Sequence, residues 1–337
     1  MGTLTASFAV IALASIFQGT FGLGMKYVRP LAWEAWWLVY SAVAMLFLPV
    51  AAAFVLVPHL ASSIAGVSTP VLFKAAFFGF LWGVGGILFG RSVARVGIAL
   101  TYGIVMGLAA SVGSLVPLLG QRGVSLSAIR WIVAGNFLML VGVALSAWAG
   151  VKREHASNAT STEAKGMKAG LVIAVLSGLL SAFLNLGFAS ALPISASAVE
   201  FGAIPRNASL ASWVVVLMGA FAMNAGYAVF LLVKNRTWDT FAAVDSGQAW
   251  KWALVSGFLW FAALAVYGQG VALMGALGPV VGWPMLLGLA LILSNLLAVR
   301  AGEWNGAPRA LRWMMVALGV LLIACAFLGY SNRTLNI

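Results

Sequence analysis

Few side chains in this chain could act as acids, bases, nucleophiles or metal ligands. Its 337 residues include seven acidic residues, two histidines and one cysteine. His59 and His155 lie in loop-like stretches, whereas Cys325 lies inside an apolar run. These residues provide neither the spaced ligands of a metal site nor a nucleophile beside a base. We therefore expect no enzyme activity, no bound metal and no cofactor.

Two of the carboxylates, Glu34 and Glu303, border long apolar runs. The protonation state of a carboxylate that is partly removed from water depends on its surroundings, and coupling to a proton gradient requires such a dependence. Either residue could instead be a hydrated or ion-paired group at a membrane surface. Lys26 is a candidate partner for Glu34, and Arg300 or Arg309 for Glu303.

Uncharged polar side chains also occur inside the apolar runs, where they are costly unless they face a cavity or another helix. They are Gln18, Tyr102, Asn185, Asn224, Tyr267, Gln269 and Asn295. Amide and phenol groups of this kind could bind the hydroxyl groups of a small polar solute. Each one alone could equally form a hydrogen bond between helices, worth about 0.6 kcal/mol.

Aromatic side chains offer a second kind of contact to a solute. Trp82, Trp260 and Trp283 fall within apolar runs and could stack on a ligand or simply pack in the protein interior. Most of the 14 tryptophans of the chain are expected in the aromatic belts at the membrane surfaces. The expected belt residues include Trp33, Trp36, Trp37 and Trp131.

The elements that carry these residues are long apolar runs. Hydrophobic residues make up 63% of the chain and charged ones 8%, with a mean hydropathy of +1.05, whereas soluble proteins have about 25% charged residues. A helix needs about 20 apolar residues to cross a bilayer. Ten runs satisfy this: 5–24, 35–56, 73–92, 98–119, 130–150, 169–191, 209–233, 250–273, 279–299 and 311–330. We predict an all-α polytopic membrane protein with ten transmembrane helices.

Two of these runs repeat one sequence pattern. Residues 79–97 and 257–275 both begin Gly-Phe-Leu-Trp, and their last glycines also match. Arg91 and Arg95 of the first segment correspond to uncharged residues in the second. Two unrelated glycine-rich helices would share composition, but an intact four-residue match favours duplication.

A weaker match relates residues 13–30 to residues 176–193, where Lys26 and Arg29 again have no basic counterpart. A unit of five spans enters the membrane from opposite sides in its two copies, so loops that are cytoplasmic in the first copy are external in the second. Basic residues are concentrated in cytoplasmic loops. This explains why the second copy lacks the basic residues that the first copy has at the matching positions. We predict a 5+5 inverted repeat, an arrangement typical of secondary transporters with a substrate site near the midplane.

The domain boundaries and the orientation follow from this repeat. Residues 1–150 form the first unit, residues 151–168 a polar cytoplasmic connector, and residues 169–337 the second unit. Most lysines and arginines lie in the loops after odd-numbered runs, which places both termini in the periplasm. The net charge of +12 is therefore a sign of membrane orientation, and we expect no nucleic-acid partner.

Several local patterns resemble those of a known family. They are Trp33-Glu34 followed by Trp36-Trp37, Gly79-Phe80-Leu81-Trp82-Gly83, Asn224-Ala225-Gly226 and Glu303-Trp304-Asn305. Their order and spacing resemble the L-rhamnose–proton symporter family, within the drug/metabolite transporter superfamily. The resemblance covers nearly the whole chain and implies an importer in the inner membrane that is driven by a proton gradient.

This resemblance implies that the polar solute is a sugar such as L-rhamnose or a similar deoxyhexose. We expect the substrate-binding residues to be Gln18, Trp82, Tyr102, Asn185, Asn224, Trp260, Gln269 and Trp283. Glu34 and Glu303 are the proton-coupling candidates. The partners are then a sugar, a proton and the lipid bilayer. The alternatives are an uncoupled sugar facilitator and an exporter of amino acids or amines, and the second is disfavoured because no carboxylate lies at mid-span.

Overall fold

Inside a bilayer the backbone amide and carbonyl groups must bond within the protein, so long apolar runs fold as helices. The computed structural model describes residues 2–156 and 167–331, and these residues form helices and turns without any strand. The first seven α-helices are α1 (Gly2–Thr20), α2 (Trp33–Ser41), α3 (Leu48–Leu56), α4 (Leu60–Ala65), α5 (Thr69–Val96), α6 (Ile98–Leu119) and α7 (Leu126–Ala156). A 3-10 segment, Phe21–Tyr27, extends α1, and a π-helical segment, Ala42–Phe47, joins α2 to α3.

The second half of the described chain has seven further α-helices. They are α8 (Met167–Ser181), α9 (Phe183–Ser190), α10 (Leu192–Glu200), α11 (Pro205–Asn235), α12 (Gly247–Met274), α13 (Gly278–Arg300) and α14 (Pro308–Ser331). A 3-10 segment, Trp238–Ala242, precedes α12, and another, Gly275–Leu277, separates α12 from α13.

Nine segments of the described residues are long and apolar enough to cross a membrane. Eight of them each contain one predicted run. The other segment, Gly247–Arg300, has 54 residues and contains two runs, because α12 and α13 are separated only by a turn at Gly275. Gly275 has a φ of 69°, which permits the turn without steric strain. The chain is a multi-pass helical membrane protein.

Two predicted connections have regular structure of their own. The stretch between the second and third runs contains the short helix α4. The predicted connector at residues 151–168 is helical at both ends, since α7 continues to Ala156 and α8 begins at Met167. Residues 157–166 lie outside the described residues.

Helices α5 and α12 each approach a neighbour at a glycine of the repeated segment. A Cβ atom on Gly79 would collide with the backbone of Val216 in α11. A Cβ atom on Gly257 would lie 2.9 Å from Val43 and 3.2 Å from the carbonyl oxygen of Tyr40. Two glycines that match in the sequence therefore each allow a close contact with a neighbouring element.

A second pair of corresponding glycines behaves in the same way. Gly24 and Gly187 are matched in the weaker repeat, and Gly24 lies directly against Ser256 of α12. A Cβ atom on Gly187 would be 3.2 Å from Phe78 of α5. Phe78 and Ser256 are themselves matched, because they immediately precede Gly79 and Gly257.

Candidate functional site

Trp82 and Trp260 meet in the interior of the helix bundle. Each lies midway along its 28-residue helix, α5 or α12, and their ring centroids are 5.3 Å apart at an interplanar angle of 27°. Trp260 is buried and Trp82 is half-buried. The two tryptophans that the sequence analysis selected as a repeated pair therefore stack on each other.

The stacked pair continues into a line of aromatic rings on α2. Tyr40 lies edge-on to Trp260 at 6.3 Å, Trp37 lies 4.9 Å from Tyr40, and Trp33 stacks on Trp37 at 5.2 Å. We call Trp33, Trp37, Tyr40, Trp260 and Trp82 the aromatic ladder. The ladder runs from the start of α2, beside Glu34, to the middle of α5 and α12.

Asn224 of α11 is attached to the side of the ladder. Its Oδ1 accepts a hydrogen bond of 3.1 Å from Trp37 Nε1, and its Nδ2 donates to the carbonyl oxygen of Ala220 at 2.9 Å. The amide is buried. Asn224 was predicted from the sequence, whereas Trp37 and Tyr40 were not, although their spacing of three residues on one helix face was a usable signal.

Trp36 does not belong to a membrane-surface belt, contrary to the sequence-based expectation. Its side chain is fully buried and stacks on Tyr40 with ring centroids 5.6 Å apart. Helix α2 packs against both α11 and α12, so its side chains on two faces are enclosed. Trp33, by contrast, is 44% exposed.

Asn185 is the centre of a second polar cluster. Its Oδ1 accepts a hydrogen bond of 2.6 Å from the hydroxyl of Tyr267, and its Nδ2 donates to the carbonyl oxygens of Gly113 at 2.8 Å and Pro279 at 3.0 Å. The Gly113 carbonyl is available because Pro117, four residues later in α6, has no N–H. We call these contacts the amide network.

Trp283 reinforces the same region. Its Nε1 donates to the carbonyl oxygen of Ala109 at 3.0 Å, and its ring lies edge-on to Tyr267 at 5.6 Å. Pro284 likewise leaves the carbonyl oxygen of Val280 without a helical N–H partner, and Ser114 Oγ donates to it at 2.6 Å. Helices α6, α9, α12 and α13 are thus bonded together at this place.

Glu34 is buried at the start of α2, with 7% of its surface exposed. Its Oε1 accepts hydrogen bonds of 2.9 Å from Asn235 Nδ2 and 2.7 Å from Thr237 Oγ1. Lys26 was the expected cationic partner and is not the partner observed. The carboxylate is hydrogen-bonded but has no ion pair with any described residue.

Lys26 forms an ion pair with Glu303 instead. Lys26 Nζ lies 3.0 Å from Glu303 Oε1, and an Arg153 guanidinium nitrogen lies 3.6 Å from Oε2. Arg300 and Arg309, the partners suggested by the sequence, form no ion pair within residues 2–156 and 167–331. Folding brings together the ends of α1, α7 and α13, and we call this the charged end of the bundle.

The remaining candidates belong neither to the aromatic ladder nor to the amide network. Tyr102 is in the first turns of α6 rather than at mid-span, and it lines a cavity at the charged end together with Asn295. Gln18 and Gln269 are half-buried, and their side chains make no hydrogen bond in the described part of the chain. The structure therefore distributes the predicted site residues over several places.

Comparison with known proteins identifies the family. The family model described as "L-rhamnose-proton symport protein (RhaT)" matches residues 3–332. The chain belongs to this family. A RhaT family member is a membrane transporter rather than an enzyme, and no cluster of three or more His, Cys, Asp or Glu residues in the described ranges could hold a metal ion.

Individual RhaT relatives match over nearly their whole length. The L-rhamnose-proton symporter of Cronobacter sakazakii is 29% identical, over 96% of this chain and 95% of its own. The protein of the same name from Escherichia coli is 26% identical, over 94% of this chain and 92% of its own. That of Mannheimia succiniciproducens is 25% identical, over 90% of each chain.

Proposed function

We propose that this protein imports L-rhamnose, or a similar deoxyhexose, together with protons across the inner membrane. The family match over residues 3–332 carries the proposal. The stacked tryptophans at mid-helix agree with it, since an aromatic face suits the C–H face of a sugar ring. No structural observation favours export of an amine.

The transport cycle that we propose uses ten spans in a 5+5 inverted repeat, the layout of the drug/metabolite transporter superfamily. The first unit is residues 1–150, the connector residues 151–168 and the second unit residues 169–337. Corresponding glycines with corresponding neighbours support this layout: α5 meets α11 at Gly79, and α12 meets the α2–α3 span at Gly257. So does the contact between Trp82 and Trp260, because equivalent residues touch only near the axis that exchanges the two units.

The proposed orientation places the charged end in the cytoplasm and both termini in the periplasm. Lys26, Arg153 and Glu303 meet at the charged end, and the excess of basic residues in loops at this end agrees with the positive-inside rule. The amide network around Asn185 then lies nearer the periplasmic side, where it holds α6, α9, α12 and α13 closed.

In this scheme the sugar binds at the Trp82–Trp260 pair. Asn224 supplies one amide there, and Gln18 and Gln269 have side-chain amides that are not engaged with the described protein. Asn185 and Trp283 must exchange their present bonds for bonds to sugar or water when the periplasmic side opens, and Tyr102 lines the path of release. Alternating access is then a rocking of one unit against the other.

Glu34 is the group that we propose to carry the transported proton. It is a buried carboxylate held by two neutral donors, whereas Glu303 is held by two cations and is 39% exposed. Hydrogen bonds to an ionised carboxylate are about twice as strong as neutral ones. Protonation of Glu34 therefore weakens the hydrogen bonds that hold α2 to Asn235 and Thr237. In this proposal Glu303 holds the charged end together through its ion pairs with Lys26 and Arg153.

Uptake of labelled L-rhamnose into proteoliposomes tests the function. Purified protein is reconstituted, and uptake is measured with and without an imposed inward proton gradient. The proposal expects accumulation above the external concentration only with the gradient, and acidification of the interior when sugar enters. Equal final levels in both conditions would identify an uncoupled facilitator, and no uptake of any deoxyhexose would refute the sugar assignment.

A further inference from the structure

A cavity of about 200 Å³ lies between α6, α7, α13 and α14 at the charged end. Its wall includes Tyr102, Ser146, Asn295 and Trp304. Neither tryptophan of the stacked mid-helix pair lines it. The cavity is therefore a separate place from the proposed central sugar site.

Two polar groups in the wall lack a partner. Ser146 is 7% exposed and Trp304 is 4% exposed, and neither Ser146 Oγ nor Trp304 Nε1 forms a hydrogen bond with any described residue. A buried polar group without a partner costs about 1–3 kcal/mol, so such groups in native proteins are normally satisfied. Both residues line the same cavity, so a polar ligand held there would lie beside them.

The charge in the wall favours a neutral ligand. Arg153 is the basic residue of the wall and Glu303 the acidic one, and their side chains are 3.6 Å apart. The Arg153 guanidinium also lies 4.8 Å from the ring centroid of Trp304. The wall itself therefore carries one charge of each sign, and Lys26, the other partner of Glu303, is exposed and lies outside the wall, so a phosphate or another ion would find no net opposite charge there.

The polar side chains of the cavity wall suit a small ring that carries several hydroxyl groups. Trp304 and Ser146 supply free donors, and Tyr102 adds a hydroxyl and an aromatic face. Asn295 donates its Nδ2 hydrogen to the carbonyl oxygen of Leu291, which leaves Oδ1 as an acceptor. Sites for drug-sized ligands measure about 300–1,000 Å³, so a cavity of about 200 Å³ fits a smaller molecule.

We propose that this cavity is a second binding site, which takes a neutral monosaccharide at the end of the bundle opposite the amide network. The assignment of L-rhamnose as that monosaccharide rests on the proposed function. The transported sugar then meets Ser146 and Trp304 after it has left the central tryptophan pair. Occupancy at this site increases as sugar accumulates on that side of the membrane.

Calorimetric titration of L-rhamnose into the purified full-length protein in detergent tests this site. Ser146→Ala removes one unpaired group and little volume, and Trp304→Phe removes the other unpaired group together with part of the ring. Ser41→Ala is the matched control, because Ser41 Oγ is also buried and without a hydrogen-bond partner among the described residues but lies in α2, outside the cavity. Trp82→Ala removes the proposed central site.

The expected result is two sugar molecules per chain for the unaltered protein and for Ser41→Ala. Ser146→Ala and Trp304→Phe should weaken one of the two sites at least tenfold, and Trp82→Ala should abolish the other. A single site that is lost in Trp82→Ala and unchanged in the cavity variants would overturn the inference and leave the proposed function intact. Binding that depends on Ser146 in a protein that fails the uptake assay would support the second site and refute the proposed import.

Discussion

Asn185 uses its whole amide group to connect four segments of the chain. It lies in α9, accepts from Tyr267 in α12, and donates to backbone carbonyls of α6 and α13. Two of the candidate polar residues, Asn185 and Tyr267, thus satisfy each other. A polar side chain inside a span must find such partners, because lipid provides none.

Replacing Asn185 by alanine should lower the free energy of unfolding by about 2 kcal/mol, since three hydrogen bonds of about 0.6 kcal/mol each are lost. Asn295→Ala is the control, because the Asn295 amide bonds only to a carbonyl of its own helix. Thermal unfolding of both variants in detergent measures the difference. Equal losses would show that the amide network adds no stability.

Glu34 and Glu303 differ in ways that predict different phenotypes. Glu34→Gln keeps an oxygen acceptor for Thr237 but removes the titratable group, so proton-driven accumulation of sugar should fall at least tenfold while sugar exchange persists. Glu303→Gln should reduce accumulation less, because exposed ion pairs contribute about 0–1 kcal/mol. Parallel uptake and counterflow assays separate the two effects, and an unchanged accumulation ratio in Glu34→Gln would exclude Glu34 as the coupling group.

At the scale of the elements, glycine residues decide how closely the helices approach one another, and proline residues decide where one helix accepts hydrogen bonds from another. Pro117 in α6 and Pro284 in α13 each leave one backbone carbonyl without its helical partner, and the neighbouring Asn185 and Ser114 side chains bond to those carbonyls. The interruptions therefore create acceptors for other helices. Such acceptors can be released when the helices move apart.

Gly79→Ala tests the contact between α5 and α11. The new Cβ atom would collide with the backbone of Val216, which cannot rotate away, so the variant should lose at least several degrees of thermal stability. Gly86→Ala in the same helix is the control, because no atom lies within 4 Å of the added Cβ position. Its stability should be unchanged or slightly raised, since alanine is a better helix former. Identical unfolding temperatures for both variants would contradict the close approach.

At the scale of the whole molecule, one surface unites residues that are far apart in the sequence. Lys26 and Glu303 are joined at 3.0 Å, and Arg153 approaches the same carboxylate from α7. Under the proposed repeat, Lys26 belongs to the first unit, Arg153 to the connector and Glu303 to the second unit. The pair between Lys26 and Glu303 therefore bridges the two units, where relative motion would make or break it.

Cysteine labelling tests the proposed orientation of the molecule. Cys325 is buried, so Cys325→Ser provides a background for single introduced cysteines. Lys26→Cys and Ser68→Cys are both at exposed positions and should lie on opposite sides of the membrane. In intact cells a membrane-impermeant maleimide should label Ser68→Cys at once and Lys26→Cys only after permeabilisation. The reverse pattern would invert the orientation, and equal labelling would contradict the threading of the first unit.

The amino-acid sequence by itself determined the class of the molecule, the position of nearly every span and the equivalence of Trp82 and Trp260 in the repeated segment. These features are local or repetitive: the length of an apolar run fixes whether it can cross a bilayer, and a repeated segment reveals its equivalents directly. The family resemblance was also accessible at this level, since its motifs are short and ordered along the chain.

Only the tertiary structure decided which partner each polar side chain has. Lys26 bonds to Glu303 rather than to nearby Glu34, Trp36 is enclosed between helices, and Asn185 is saturated while Gln18 is not. The physical reason is that a partner depends on the rotation and crossing of helices that are distant in the chain. Hydropathy places a residue at a depth in the membrane, but it does not specify which neighbouring helix that residue faces.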